Sequence, residues 1–191
     1  MPARFPSLLL VAGLLAGSAP LFAQPAAGHG HSADHVAHGT PPPAYAGQQQ
    51  REIKALAADE QRALLDGAGL GFARAAELNH YPGPMHVVEL AEALALTAEQ
   101  RRASERLLHE HKAEARALGA RVVDAERQLD RLFAAGALDA AALAAAVNHA
   151  GAAQAAYRLA HLDAHRRQRE LLSPAQVAEY DRRRGYAAGG S

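Results

Sequence analysis

The chain contains no cysteine and no tryptophan, and only four phenylalanines and five tyrosines. Without cysteine, disulfide bonds and thiol chemistry are excluded, so the fold must be stabilised by packing and by self-association. Because large aromatic side chains are scarce, the core must be built mainly from leucine, valine and alanine. Such a composition suits closely packed helices.

Net charge and recognisable catalytic motifs are absent as well. Lysine plus arginine and aspartate plus glutamate both total 20, so no overall field attracts nucleic acid or an anionic membrane. The sequence has no glycine-rich phosphate loop, no HExxH motif and no nucleophile elbow. We therefore predict a protein that is not an enzyme and does not bind nucleic acid.

The one long apolar run covers residues 8–15, far fewer than the roughly 20 residues needed to cross a bilayer. Arg4 precedes this run, and small residues with Pro20 follow it, which is the pattern of a secretory signal peptide. We expect residues 1–23 to be removed by cleavage after Ala23. The mature protein is then predicted to be periplasmic, with no transmembrane segment.

The remaining chain divides into three parts by composition. Residues 24–50 are rich in alanine, glycine, proline and histidine without a hydrophobic period, which predicts a disordered arm. Residues 51–186 carry helical periodicity and are predicted to form one helical domain, and residues 187–191 a flexible tail. The predicted fold class is all-α, with a long antiparallel helical hairpin and shorter flanking helices.

Two short helices are predicted at the start of this domain. One begins near Gln49 and stops at the glycines that start with Gly67, and the other runs from about Pro84 to Ala95. The segment between them has two prolines around Gly83 and is predicted to be a turn.

Two long helices are predicted to follow and to form the centre of the fold. The first begins at Thr97 and ends before Gly136, with apolar or small residues recurring in alternating steps of four and three. Asp139 is the expected cap of the second, which runs to about Leu171. Because the connection is short, the helices should be antiparallel, with opposing residue numbers adding up to about 273. The predicted seam of the second helix consists of Leu143, Val147, Ala150, Gln154, Tyr157, His161, Ala164 and Gln168.

The same five-residue motif, leucine, threonine or serine, two residues and glutamine, occurs at both ends of the hairpin. Its residues are Leu96, Thr97 and Gln100 in the first copy and Leu172, Ser173 and Gln176 in the second. Each copy is a capping box, in which the hydroxyl accepts a backbone N–H and the glutamine side chain reaches back. A final short helix is therefore expected after Ser173, with Pro174 at its first position.

Two such motifs around a helical hairpin, behind a signal peptide, resemble the LTxxQ group of periplasmic proteins. This group includes the Spy/CpxP chaperones, heavy-metal resistance proteins and periplasmic metal sensors, and the resemblance covers about Ile53 to Tyr186. It implies a small, bent helical protein that forms a homodimeric cradle. Members bind unfolded clients without ATP, restrain an envelope-stress kinase, or bind zinc, nickel, cobalt or copper. This chain departs from the group in its balanced charge, which weakens the case for a basic client-binding surface, and in its histidine-rich arm, which favours metal.

Histidines form two candidate metal sites, since neutral imidazole is a good ligand for zinc, copper and nickel. Four lie within ten residues of the arm and could wrap a metal without a preformed cage: His29, His31, His35 and His38. The alternative is a solvated linker that happens to be rich in histidine.

The second candidate site lies on the hairpin. There His111 is expected to face His161, and His109 is expected to face the region of His165. His161 and His165 are four residues apart and therefore lie on the same face of their helix. The alternative is that the two seam histidines simply pack, while the other two face water. A third group, around the predicted turn at Gly83, could hold copper or be an ordinary packed turn. Its members are His80, Met85 and His86.

Six arginines near the C-terminus form the only local excess of positive charge. They are Arg166, Arg167, Arg169, Arg182, Arg183 and Arg184. The simplest reading is a solvated face. The functional alternative is a surface for clients or acidic partners, because long arginine stems cover apolar segments while their charged heads meet acidic ones.

These features favour an ATP-independent periplasmic stress chaperone of the Spy/CpxP type, which shields unfolded or stressed envelope proteins and binds metal as an accessory property. The alternative is a heavy-metal sensor or resistance protein that acts through a membrane-bound regulator. No cofactor is expected to be required in either case, although zinc, copper, nickel or cobalt are the expected metals.

Overall fold

The computed structural model describes residues 45–136 and 138–187. Within these residues the chain forms six α-helices, one short 3-10 turn at Gln48–Gln50 and no strand, which confirms the predicted all-α fold with a long helix pair. The helices are α1 (Ala58–Leu65), α2 (Arg74–Glu77), α3 (Pro84–Glu89), α4 (Ala98–Ala134), α5 (Ala140–Glu170) and α6 (Pro174–Arg184). The predicted signal peptide, the four histidines of the arm and the last four residues lie outside the described residues.

Helices α4 and α5 are antiparallel and form the expected hairpin. The buried Gln168 side chain donates a hydrogen bond to the Ser104 hydroxyl at 3.0 Å. Further along, the rings of His111 and His161 are in contact, with centroids 4.7 Å apart. Both pairs agree with the predicted register to within one residue.

The seam of α5 differs from the prediction in its first half. Val147 and Gln154 are exposed, whereas Ala146 is half-buried and Ala153 packs against the core. Two of the inner positions before Tyr157 are therefore one residue earlier than predicted, whereas Ala150 is buried as predicted. An alanine seam allows the two helix backbones to approach closely, and the larger Val147 is left outside.

The first core cluster joins the start of the domain to the hairpin. It contains Ile53, Leu64, Val123 and Tyr157, all at least 96% buried. The end of α1 approaches α4 so closely at Gly119 that a β-carbon there would lie 1.9 Å from the Leu64 carbonyl oxygen. Only glycine permits this contact.

The second core cluster joins α3 and α6 at the opposite end of the hairpin, through Val87, Leu94, Leu172, Val177 and Tyr180. It thus includes a leucine from the second copy of the repeated motif.

Both capping boxes are present, and their glutamines contact each other. Gln100 and Gln176 exchange two side-chain hydrogen bonds, each 2.9 Å long, while each side-chain oxygen also accepts the backbone N–H of its own cap residue, Thr97 or Ser173. The two motifs therefore fasten the start of α4 to the start of α6.

Two predicted helix boundaries were wrong. The helix expected from Gln49 begins only at Ala58, because residues 51–57 form irregular turns and the Ala57 N–H is capped by the side chain of Glu60 at 2.7 Å. The irregular segment nevertheless buries Ile53 completely.

The helix expected from Pro84 to Ala95 ends at Glu89. A turn follows it, in which Ala95 has a left-handed backbone (φ 46°). The preceding segment, predicted as a turn, contains the short helix α2. None of the helices in the described residues is long and apolar enough to cross a membrane.

Candidate metal-binding cleft

A cleft of ≈ 580 Å³ lies between the hairpin and the segment 66–86. The hairpin contributes three imidazoles to its lining, His111 from α4 and both His161 and His165 from α5. The structure thus brings together three of the four histidines predicted for a hairpin site.

His111 and His161 are packed against each other with unpaired polar atoms. Their rings meet edge to face at an interplanar angle of 78°, and Tyr157 packs on the other side of His161 with ring centroids 4.6 Å apart. Nδ1 of His111 and Nε2 of His161 are buried and have no hydrogen-bond partner. A buried polar atom without a partner is costly, so two such atoms on adjacent rings require an explanation.

Both imidazoles remain uncharged at neutral pH. Burial, with repulsion from His111 and His165, lowers the pKa of His161 to about 4. Burial, with repulsion from His165 and Arg167, also lowers the pKa of His111. A neutral imidazole keeps the lone pair that a metal ligand needs, so no proton has to be displaced from either ring at pH 7.

His165 is oriented by the turn before α3. Its Nδ1 lies 2.7 Å from the Tyr81 carbonyl oxygen, which can only accept, so Nδ1 carries a proton and the lone pair of the neutral tautomer is on Nε2. A β-carbon at position 83 would lie 2.9 Å from the His165 ring, so any residue other than glycine would require the ring to shift. A backbone carbonyl that fixes the tautomer in this way is a common support for metal-binding histidines.

Glu77, on α2, is a site residue that the sequence did not reveal. One of its carboxylate oxygens, Oε2, is buried without a hydrogen-bond partner and lies 3.5 Å from Nδ1 of His165. The other, Oε1, accepts a hydrogen bond from the Tyr180 hydroxyl at 2.6 Å. Glu77 is the only carboxylate between Phe72 and His86, but no spacing in the sequence connects it to the hairpin.

The residues of the cleft fit a divalent transition metal by their chemistry. Three imidazoles and one carboxylate are the ligand types that zinc, nickel, cobalt and copper accept. In the described part of the chain, however, no group of three or more histidine, aspartate or glutamate side chains is already arranged around a common metal position. Metal binding would therefore require side chains in the cleft to move.

Of the other predicted ligands, Met85 and His86 also line the cleft, whereas His80 and His109 do not. His109 is exposed on the opposite face of α4, beside Arg106 and Glu110. In the third candidate group both histidines contact carboxylates: His80 contacts Asp181 at 2.7 Å and His86 contacts Glu89 at 2.9 Å.

The six arginines do not form a free positive surface, because five of them take part in ion pairs. Arg166 pairs with Asp163 and Glu170, Arg167 with Glu110, Arg182 and Arg183 with Glu179, and Arg184 with Glu77. Among the described residues no ion pair involves Arg169.

The chain was also compared with known proteins. A family model described as heavy-metal resistance matches residues 63–179, which covers both long helices, most of the cleft and both copies of the repeated motif. No curated protein and no solved structure was found to match the chain. The family match confirms the resemblance to the LTxxQ group inferred from the two motifs. The chain is therefore a member of the heavy-metal resistance family.

Proposed function

We propose that this protein acts in heavy-metal resistance by binding a transition metal ion in the cleft, through His111, His161, His165 and Glu77. The observation that carries the proposal is the set of unpaired ligand atoms on side chains that line this one cleft. Nδ1 of His111, Nε2 of His161 and one oxygen of Glu77 are all buried without hydrogen-bond partners. A bound cation would supply the missing partner to each.

The role of the protein in this proposal is binding rather than catalysis. Zinc, nickel, cobalt or copper would be held by nitrogen and oxygen ligands, and the site would sequester the ion or report its presence. The signal-peptide pattern of residues 1–23 supports a periplasmic location, where a membrane-bound regulator could contact the protein.

Titration calorimetry with each of the four metals tests the proposal. The variant in which His111→Ala and His161→Ala are combined should lose at least ten-fold in affinity for the metal that binds tightest. A matched control combines His109→Ala and His149→Ala, which removes one exposed histidine from each of the same two helices. Equal affinity in both double variants would show that the cleft does not bind the metal.

The arm needs a separate control, because its four histidines can bind metal independently. Deleting residues 28–39 should lower the number of ions bound per chain and leave the tightest site intact. If the deletion removes all binding, the metal site lies in the arm and the cleft proposal is wrong.

A chaperone activity is the second candidate function, and the mouth of the cleft favours it. Leu70, Leu78 and Met85 line the cleft and are 43–53% exposed. Exposed apolar side chains around one opening could hold segments of unfolded or stressed envelope proteins.

An aggregation assay without metal separates this activity from metal binding. The protein should slow aggregation of a reduced model client such as insulin, and the paired changes Leu70→Ser and Leu78→Ser should weaken the effect. Paired changes at Tyr45 and Leu65, which are exposed but do not line the cleft, provide the control. A loss of activity only in the control would move the client surface away from the cleft.

A further inference from the structure

Helix α6 is connected to the cleft by two consecutive residues. The Tyr180 hydroxyl donates to Glu77 Oε1 at 2.6 Å, and the Asp181 carboxylate contacts Nδ1 of His80 at 2.7 Å. Tyr180 is fully buried and Asp181 is 7% exposed, whereas the His80 side chain is 62% exposed, so the first contact is buried and the second lies at the edge of the surface.

These two contacts involve the two parts of the cleft that position the His165 ring. One is Glu77, whose second oxygen lies 3.5 Å from the His165 ring. The other is the turn that follows His80, in which the Tyr81 carbonyl fixes the His165 tautomer and Gly83 lies against the ring. His80 has a left-handed backbone (φ 66°), which is strained for a residue with a side chain, and its contact with α6 helps to hold it there.

The attachment of α6 to the rest of the fold is made by side chains rather than by close backbone packing. Besides these polar contacts, α6 is attached through Val177 and Tyr180 in the second core cluster and through Gln176, which bonds to Gln100 and to the Leu94 carbonyl oxygen. Arg184 adds an ion pair of 3.5 Å to the same oxygen of Glu77 that Tyr180 contacts. Loosening of α6 would therefore break these side-chain contacts.

We propose that docking of α6 and occupation of the cleft by metal are coupled through Tyr180 and Asp181, so that α6 is the element that responds to the metal. This inference rests on the proposed metal site. With α6 docked, Glu77 and the turn at residues 80–83 hold their positions around His165. Fewer side chains then have to move for a cation to bind, and the cleft binds it more tightly. By thermodynamic reciprocity, a bound cation must stabilise the docked α6 to the same degree.

Hydrogen exchange with and without zinc measures this coupling in the wild-type protein. Amides of residues 174–184 should exchange more slowly when zinc is bound, whereas those of residues 140–150, in the part of α5 away from the cleft, should not change. Zinc is the suitable probe because it has no redox chemistry. Calorimetry on the same sample shows whether zinc is bound.

The second part of the experiment uses variants that change the contacts of α6 with Glu77 and His80 but leave the proposed metal ligands in place. Tyr180→Phe removes one hydroxyl and Asp181→Asn removes one charge, and each should weaken zinc binding by about ten-fold, as outer contacts of metal ligands do. Arg183→Ala is the matched control, because it removes an exposed ion pair from the same helix. Its zinc affinity should equal that of the wild type.

The outcomes distinguish the two proposals. If zinc binds in the cleft, as shown by weaker binding to the His111→Ala and His161→Ala double variant, and α6 exchanges at the same rate with and without zinc, the coupling is wrong, although the metal site stands. The same holds if both variants bind zinc as tightly as Arg183→Ala. If the wild type does not bind zinc, nickel, cobalt or copper in the cleft, both proposals fail.

Discussion

Two glycines in the interiors of the long helices have opposite surroundings. At Gly119, a β-carbon would collide with the Leu64 carbonyl oxygen, whereas at Gly151 it would meet nothing within 4 Å. Glycine lowers helix stability relative to alanine by roughly 0.5–1 kcal/mol. At Gly119 the contact with Leu64 requires glycine despite this cost, whereas at Gly151 no contact requires it.

The two alanine variants should therefore differ in sign. Gly151→Ala should raise the free energy of unfolding by roughly 0.5–1 kcal/mol. Gly119→Ala should lower it by at least about 1–3 kcal/mol, because α1 must move away from α4 to make room for the methyl group. Urea denaturation measures both. Equal effects in the two variants would show that α1 does not lie on α4 at Gly119.

His161 should make the metal-free protein sensitive to acid. Its pKa is lowered from 6.5 to about 4 by burial, so between these values the unfolded chain binds a proton that the folded chain does not. Stability must then fall as the pH drops through this window, by up to about 3 kcal/mol. Thermal unfolding in the presence of a chelator, from pH 7.5 to pH 4, provides the measurement.

His161→Gln is the matching variant, since it keeps a polar side chain of similar size but cannot titrate. Its melting temperature should fall less steeply over the same range. The pKa of His111 is also lowered, so His111 accounts for part of the pH dependence that remains in this variant. A wild-type protein as stable at pH 4.5 as at pH 7.5 would contradict the burial of neutral imidazoles.

The contact of His111 with His161 could be predicted from the sequence, but Glu77 could not. A short connection fixes the register of an antiparallel hairpin, so residue numbers on one helix identify those opposite. Glu77 reaches the cleft because the segment 66–86 folds over the hairpin. That path depends on tertiary contacts, such as the hydrogen bond from Tyr157 to the Ala68 carbonyl, which leave no periodic pattern.

Among the helices, those with local start signals were predicted best. Thr97, Asp139 and Ser173 each cap the helix that follows by accepting a backbone N–H, and α4, α5 and α6 begin where the caps predict. Helices α1 to α3 are short, and isolated helices of this length are unstable. Their bounds are set by what they pack against, so hydrophobic spacing alone placed the first one too early.

The paired glutamines should be energetically coupled. Gln100→Ala and Gln176→Ala each remove both hydrogen bonds of the pair, so the second change should cost less once the first is present. A double-mutant cycle from urea denaturation should give a coupling energy of about 1 kcal/mol or more. Effects that add within about 0.3–0.5 kcal/mol would show that the two glutamines act only as separate helix caps.

At the scale of the whole molecule, one hairpin leaves much of its own surface uncovered. Helix α4 has 37 residues and is thus roughly 55 Å long. Phe133 and Leu159 are 59% and 66% exposed, and residues 140–156 of α5 include no charged side chain. A second copy of the chain could cover this surface.

We therefore expect a homodimer at micromolar concentration. Sedimentation equilibrium should give twice the monomer mass, and replacing both Val147 and Leu159 by glutamate should shift the equilibrium to monomer, because charges would enter an apolar contact. Charge reversal at Glu105, exposed near the other end of the hairpin, is the control and should leave the mass unchanged. A wild-type monomer at these concentrations would argue against the homodimer.

The glutamine pair also bears on the order in which the fold is acquired. Gln100 and Gln176 are 76 positions apart in the chain, but each already bonds to a cap residue only three positions away. The nearby bonds can form as soon as the first turn of each helix does, and they fix the side-chain rotamers before the two helix starts meet. The long-range contact then needs little further loss of side-chain entropy. In refolding kinetics, substitutions at Thr97 and Ser173 should therefore affect the rate of folding, whereas loss of the bonds between the two glutamines should mainly accelerate unfolding.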